Sequence, residues 1–285
     1  MKNSCKIYNK NNYYIINNKK ISANNKDLLE KEIIQYKNII IEDELENINN
    51  IIYIALLYNI NCYIKVNDNI DKIFIKKHKT IDGQLYSVIN NINLNYLKKF
   101  IKRLFDIIVS IICLIISIPI ILVAGIFIKI DSKGPIIYKQ KRVTYNEKEF
   151  TIYKLRSMIN NAEKETGPIL ANTKDKRITR VGVILRKYKI DELPQFYNVL
   201  KGDMSIVGPR PERKFFLDKI YSYYPEYKLR TKFKAGITCL AHLYGNYQTE
   251  FRERLNYDLL YMQNWNIFLD IKLILFTILK VIKGK

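Results

Sequence analysis

A chain of 285 residues is long enough for one large or two modest domains. Its net charge of +21 argues against cationic partners and favours anionic ones: acidic lipid headgroups, nucleic acid or phosphorylated substrates. Four scattered cysteines (Cys5, Cys62, Cys113 and Cys239) include no C-x-x-C pair, which excludes a zinc ribbon or a disulfide framework and fits a reducing compartment.

Residues 1–25 are polar and rich in Asn and Lys, and read as a poorly ordered start or an irregular edge element. The pattern then predicts a helix over Leu28–Tyr36, a short buried strand over Asn38–Ile41 and a helix over Glu42–Tyr58 with Leu45, Ile48, Ile52, Ala55 and Leu56 near one face. A strand over Asn61–Val66 and a weaker helix near Ile70–Lys76 follow. Alternating helix and strand predict a small α/β unit with a parallel sheet. Its only glycine is Gly83, so it has no G-x-G-x-x-G or phosphate loop.

Ile107–Ile128 is a run of 22 uncharged residues, with Pro119 in its second half. As one straight helix it would reach about 33 Å, enough to cross a hydrocarbon core of roughly 30 Å. Lys98, Lys99, Lys102 and Arg103 precede it; Lys129, Lys133, Lys139, Lys141 and Arg142 follow. Basic flanks stay cytoplasmic, and a simple span would export one of them. A helix that enters, breaks at Pro119 and returns keeps both inside, with Ser110 and Ser117 available to carbonyls freed by the bend. An ordinary transmembrane helix that tolerates its proline is the alternative. The run starts some hundred residues into the sequence, unlike a cleaved signal.

Beyond it, Gly134-Pro135 marks a turn, and Ile136–Tyr138 and Phe150–Tyr153 read as strands flanking a turn at Tyr145–Glu147. Ile159–Glu165 reads as a short helix and Arg177–Tyr188 as an amphipathic one. A further helix begins near Asp191, and a loop with two glycines and two prolines covers Gly202–Pro211. Phe215–Tyr223, Arg252–Trp265 and Asp270–Ile282 read as helices. The last, apolar with Lys272, Lys280 and Lys283, is too short to span and suits either a core or, the favoured reading, a membrane interface.

Adjacent carboxylates Asp191 and Glu192 open the segment Asp-Glu-Leu-Pro-Gln. If Asp191 caps the helix, Pro194 falls in its first turn and the free N–H groups face the carboxylate. An isolated pair of this kind is usually only a cap. Here cations surround it in sequence: Arg177, Arg180, Arg186 and Lys187 before, Arg210 and Arg213 after. Arg210 lies between Pro209 and Pro211, which stiffen its backbone, and Gly202 and Gly208 allow close backbone approach to a ligand. Lys154 and Arg156 would share a strand face. Cations converging on a carboxylate suit phosphoryl chemistry, because arginines and a divalent metal offset the repulsion between carboxylate and pyrophosphate. A carboxylate can also act as a covalent nucleophile. His78 and His242 are isolated, which gives Ser-His-Asp hydrolysis little support.

With these residues in view, Lys102–Lys285 resembles the monotopic bacterial phosphoglycosyl transferases, the polyprenyl-phosphate sugar-phosphate transferases of surface-glycan synthesis. The motifs that carry the resemblance are Lys102-Arg103-x-Phe105-Asp106, Tyr138-Lys139-Gln140-Lys141-Arg142, Tyr153-Lys154-Leu155-Arg156-Ser157-Met158, Arg177–Gly182, Asp191–Gln195 with Asn198-Val199-Leu200, Lys201–Pro211 and Asp258–Tyr261. The resemblance implies an α+β monotopic membrane protein with a re-entrant helix (98–133) broken at Pro119, interfacial helices, a catalytic domain (134–285) and a truncated, Rossmann-like α/β domain (1–97). It implies transfer of a sugar 1-phosphate from a UDP-sugar to polyprenyl phosphate, at the cytoplasmic face of the inner membrane and among its lipids, through a phospho-sugar on Asp191 with release of UMP. Glu192 would bind Mg²⁺; Arg186 and Arg210, with Lys154 and Arg156, would hold phosphate. A homo-oligomer is left open. Two departures stand out: Ala235-Gly236-Ile237-Thr238-Cys239 where the family often has Pro-Gly-Ile-Thr-Gly, and Ile118 directly before the proline. A membrane-tethered binding protein with decayed catalytic motifs is the alternative; the long apolar run counts against a nucleic-acid binder.

Overall fold

A computed structural model of the chain describes residues 4–10, 13–16, 19–22, 26–42, 48–65, 75–81, 84–89, 92–163, 167, 175–245 and 250–283. It divides into two compact units, one of residues 1–93, 221–232 and 251–264, the other of 94–220, 233–250 and 265–285. The protein is of the α+β class, with one long apolar helix.

In the first unit, strands β1 (Ser4–Lys10), β2 (Tyr13–Ile16) and β3 (Lys19–Ser22) are followed by α1 (Lys26–Ile33), β4 (Asn38–Ile41), α2 (Ile48–Tyr58), β5 (Asn61–Lys65), β6 (Ile75–Ile81) and β7 (Gln84–Ile89). The sheet order is β3-β2-β1-β4-β5-β7-β6. The expected parallel sheet exists only in its middle, where β1, β4 and β5 run parallel; antiparallel pairs on both sides make the sheet mixed. The polar segment, read as a poorly ordered start or an irregular edge element, supplies three regular strands, with β3 at one edge of the sheet. The helix expected near Ile70–Lys76 falls mainly outside the described residues, and its last two positions belong to β6. Strand alternation sorts the core: Ile39 and Ile41 are fully buried on one face, while Ile40, Tyr63 and Tyr86 form a cluster on the other.

The second unit begins with α3 (Tyr96–Asp131), capped by the Asn95 side chain, which accepts from Lys98 N at 2.9 Å. Pro119 lies inside α3 and not at a break between two helices: the helix is continuous on both sides of it. A proline removes one N–H and frees one carbonyl, and the flanking hydrogen bonds carry the helix through. Ser110 donates to Asp106 O, a turn and more before the carbonyl that Pro119 frees. The first turns of α3 are locked in place. Lys102 Nζ meets Asp270 Oδ2 at 2.8 Å, and Trp265 Nε1 donates to the same oxygen at 3.1 Å. Arg103 donates to Val199 O (2.6 Å) and Leu200 O (2.8 Å), and Asp106 Oδ1 accepts from Ser205 Oγ and Ile206 N, each at 3.0 Å. Part of the first basic flank is therefore spent inside the protein. At the other end, Ala124 and Ile128 pack with Leu155 and Leu185. Between these anchors the helix is bare: Ile112, Ile115, Ile116, Leu122 and Val123 are all more than half exposed.

Strands β8 (Ile137–Val143) and β9 (Glu149–Leu155) form an antiparallel hairpin, longer than predicted. The helix expected over Ile159–Glu165 does not form: residues 160–163 are turns that follow the bridge Met158–Ile178, and residues 164–165 lie outside the described residues. There follow α4 (Arg180–Lys187), α5 (Gln195–Lys201), β10 (Ser205–Val207), α6 (Lys214–Tyr223), β11 (Gly236–Thr238) and α7 (Leu240–Tyr244), then α8 (Phe251–Asn264) of the first unit and α9 (Ile267–Ile282) of the second. Asp270 and Leu273 are the buried residues of α9, while Phe268, Leu275, Leu279 and Ile282 are exposed. In the first unit, Asp258 of α8 is held by Arg230 Nε at 3.0 Å, and Arg230 also donates to the Tyr227 hydroxyl at 2.9 Å.

Candidate active site

Asp191 and Glu192 occupy a single 3₁₀ turn, Ile190–Glu192, between α4 and α5. This corrects the helix-cap expectation: α5 begins only at Gln195, with Pro194 in the flanking position and no side-chain cap. The turn is entered through Lys189, a non-glycine residue in left-handed conformation at φ 55°, a strained geometry that tertiary packing has to hold. Two devices fix it. Asp131 Oδ2 and Thr179 Oγ1 accept from Val181 N and Gly182 N at 3.0 Å each, which sets the start of α4. The Asn198 side chain donates to Thr151 O (2.7 Å) and accepts from Tyr153 N (3.0 Å), which clips α5 to the open edge of β9.

That clip places Lys154 of β9 beside Glu192, Nζ to Oε1 at 2.7 Å. Arg210 reaches the same oxygen with Nη2 at 3.4 Å. The Arg210 loop is pinned where β10 and β11 meet. Gly236 N donates to Pro209 O at 2.9 Å, and a Cβ on Gly236 would lie 2.1 Å from Gly208 N, so only glycine fits. Gly208 and Gly202 also serve the backbone: Gly208 faces Lys234 O and Gly236, and Gly202 takes the left-handed φ that ends α5.

Both carboxylates are buried, and their electrostatics diverge. Burial alone would push the Glu192 carboxyl up, but the Lys154 ammonium, then Arg210 and Lys189, hold it well below the usual carboxylate range. Burial and the adjacent Glu192 charge push the Asp191 carboxyl up, against Lys154, Lys189 and Arg186. Asp191 Oδ1 is buried and has no hydrogen-bond partner. Two neighbouring carboxylates with opposed shifts suit divided labour, one a fixed charge and one a reactive group.

Arg186 lies within electrostatic reach of Asp191, while its Nε donates to Ser157 Oγ at 2.9 Å. Arg156 is elsewhere. β9 ends at Leu155, and the Arg156 guanidinium is spent on the end of α3, bonding Ser132 O (2.6 Å), Lys133 O (2.7 Å) and Ser132 Oγ (3.0 Å). Lys154 and Arg156 therefore do not share a face toward the carboxylates. Sequence reasoning missed Lys189 and His242. Burial, then Arg210, push the His242 imidazole well below its ordinary value, with Glu192, Lys189 and Lys154 also acting on it. It is neutral at pH 7. No spacing signalled it, because α7 brings it in from fifty residues downstream of the dyad.

Mg²⁺ takes oxygen ligands, often only one or two carboxylates with phosphate and water completing the shell. Glu192 and the unpartnered Asp191 Oδ1 fit that mode. No group of three or more His, Cys, Asp or Glu assembles among the described residues, so a cage made wholly of protein is not present there.

Residues 97–284 match the family described as bacterial sugar transferase. The chain is 39% identical over 188 residues to a UDP-N-acetylgalactosamine-undecaprenyl-phosphate N-acetylgalactosaminephosphotransferase of Aeromonas hydrophila, covering 65% of this chain and 44% of the relative. It is 43% identical over 192 residues to a UDP-glucose:undecaprenyl-phosphate glucose-1-phosphate transferase of Klebsiella pneumoniae, covering 66% and 41%. It is 39% identical over 257 residues to the galactosyl transferase CpsE of Streptococcus agalactiae, covering 83% and 54%. The chain thus spans about half the length of these curated relatives. With the match extending from the first turn of α3 through the dyad to the end of α9, the chain belongs to the bacterial sugar transferase family.

Proposed function

We propose that this protein transfers a sugar 1-phosphate from a UDP-sugar to a polyprenyl phosphate at a membrane surface, through a covalent intermediate on Asp191. The observation that carries the reading is the dyad: a buried Asp191 with an unpartnered oxygen beside a Glu192 that Lys154 and Arg210 keep ionised. An Asp191 oxygen attacks the sugar-side phosphorus, the bond to the bridging oxygen breaks, and UMP departs with the electron pair. The acyl phosphate that results retains the transfer energy. A phosphate oxygen of the lipid acceptor attacks the same phosphorus, the bond to Asp191 breaks, and the carboxylate is restored. Lys154, Arg186 and Arg210 orient and neutralise phosphate oxygens. Glu192, with the adjacent Asp191 oxygen, would hold Mg²⁺, which supplies positive charge against the phosphate when bound. Neutral His242 adds no charge to this cluster. The activities for which the Aeromonas and Klebsiella relatives are named, each with a UDP-sugar and undecaprenyl phosphate, support the substrate classes.

The same reading makes α3 a membrane helix that enters and leaves on the cytoplasmic side. Its support is that both ends bind one polar unit, Lys102 and Arg103 at the first and Asp131 at the last. A spanning helix would put those ends in opposite water phases. The apolar exposed residues of α9 suit the interface beside it. UMP release from a panel of UDP-sugars tests the reading: Asp191→Asn is expected to show none. Parental activity in Asp191→Asn would leave a tethered protein without this chemistry.

A further inference from the structure

Alternation along β8 puts Tyr138, Gln140 and Arg142 on one face of the strand. The Arg142 guanidinium is largely buried. Nη2 donates to Gln140 Oε1 at 2.5 Å and Nη1 to Pro211 O at 3.3 Å, while the buried Nε has no hydrogen-bond partner. Val143 N also donates to Glu212 O at 3.0 Å, so the end of β8 and the Arg210 loop form one fixed backbone frame. On that frame Arg142 faces two like charges. Burial, then Arg210 and Arg213, push it down to about 10, opposed by Glu212 and Tyr138. Arg213 has a carboxylate, Glu163 at 2.8 Å, and Arg210 shares Glu192 with Lys154. Arg142 forms no ion pair of its own among the described residues. Three guanidinium groups set together, one buried with a donor unused, make an arrangement that a multivalent anion would complete.

We propose that Arg142, with Arg213 beside it and Arg210 between the two sites, receives the second phosphate of the donor, the one that leaves with the nucleoside. This rests on the transferase reading above. The diphosphate then lies across Arg210, with its sugar-side phosphorus toward Asp191 and Lys154 and its nucleoside-side phosphate toward Arg142. When the phosphorus–oxygen bond breaks, the electron pair stays on the bridging oxygen of the departing monophosphate. The Arg142 guanidinium would then take up part of that charge through its Nη–H groups. Arg142 thus acts in the donor half-reaction and has no part in acceptor attack.

The test uses the full chain in lipid nanodiscs, with Arg142→Gln, Arg142→Lys and Arg213→Gln. Calorimetry measures UMP and uridine binding, and single-turnover quenching measures the two half-reactions separately. For Arg142→Gln, UMP affinity is expected to fall tenfold or more, the scale of one lost charge-assisted contact, with uridine affinity unchanged. Intermediate formation slows, while discharge of preformed intermediate to polyprenyl phosphate keeps its rate. Arg142→Lys recovers part of the UMP affinity, and Arg213→Gln shows the same pattern more weakly. Unchanged UMP affinity in Arg142→Gln, or equal loss of UMP and uridine in the folded Arg142→Lys protein, would overturn the proposal. The ratio of UMP to uridine affinity needs no covalent intermediate, so it reports on Arg142 even if none forms on Asp191.

Discussion

Replacing Asp270 by Ala should destabilise the second unit severely, and replacing its partner as well should undo most of the damage. Lys102 and Asp270 are buried, 7% and 0% exposed, and 2.8 Å apart, with Trp265 Nε1 on the same carboxylate oxygen. Removing one partner of a buried pair costs about 3–5 kcal/mol, and the lower end applies to Asp270→Ala, because nearby Asp106 still attracts the Lys102 ammonium. Asp270→Ala also orphans the indole N–H, which adds about 1 kcal/mol or more. At roughly 2–4 °C per kcal/mol for a unit of this size, the single variant should melt on the order of 10 °C lower. In Lys102→Met/Asp270→Leu neither charge of the pair remains, and apolar replacement of a buried pair is often neutral, although buried Asp106 then loses the Lys102 ammonium that favours its ionised form. What persists is the orphaned Trp265 N–H, about 1–2 kcal/mol. Thermal unfolding of the parent, Lys102→Met, Asp270→Leu and the double variant in one detergent closes the cycle. Losses that simply add would refute the reasoning, because they would show that neither charge depends on the other.

Other consequences follow from the dyad and its frame. Asp191→Asn should abolish turnover yet raise the melting temperature by a few degrees, on the order of 1 kcal/mol, because it removes a buried charge set against Glu192; a lower melting temperature would contradict the electrostatic account. Because the Asp191 pKa is raised, intermediate formation should decline as pH falls through a value above the ordinary 3.8, measured by single-turnover rates. The depressed Glu192 pKa has the opposite linkage: its contribution to stability is complete above about 4.5 and is lost as pH falls further, through the folded value, in acid melts. Gly236→Ala forces a Cβ into the Gly208 backbone and should cost several kcal/mol and most of the activity by displacing Arg210; near-parental turnover would show that the loop tolerates the shift. Cysteines introduced ahead of Lys102 and after Lys133 should react with an impermeant reagent from the same side of sealed vesicles. Labelling from opposite sides would establish a span.

The parts of this protein legible from sequence were those that local chemistry dictates. Asp191, Glu192, Lys154 and Arg210 converge as their residue types suggested, and the apolar run is helical, though without the break expected at Pro119. What escaped depended on contacts distant in sequence. Arg156 looked like a strand-face partner of Lys154, but β9 stops one residue before it and its guanidinium turns to the end of α3. The helix cap at Asp191 failed because Lys189 enters the left-handed region and tightens the next residues into a 3₁₀ turn. Lys102 and Arg103 carry an orientation signal in sequence, yet both are consumed by buried or carbonyl contacts that involve Asp270 and Val199. The N-terminal strands were hidden by composition: Asn and Lys are poor strand formers, and β1 is stabilised by pairing with β4.

The most direct test of the central claim is intact-mass analysis of the protein incubated with single UDP-sugars in the absence of lipid acceptor. The account predicts a gain equal to one sugar phosphate for the accepted donor, located by peptide mapping to Asp191, absent in Asp191→Asn and discharged on addition of polyprenyl phosphate. Active protein that never carries that mass, or carries it on another residue, would contradict it.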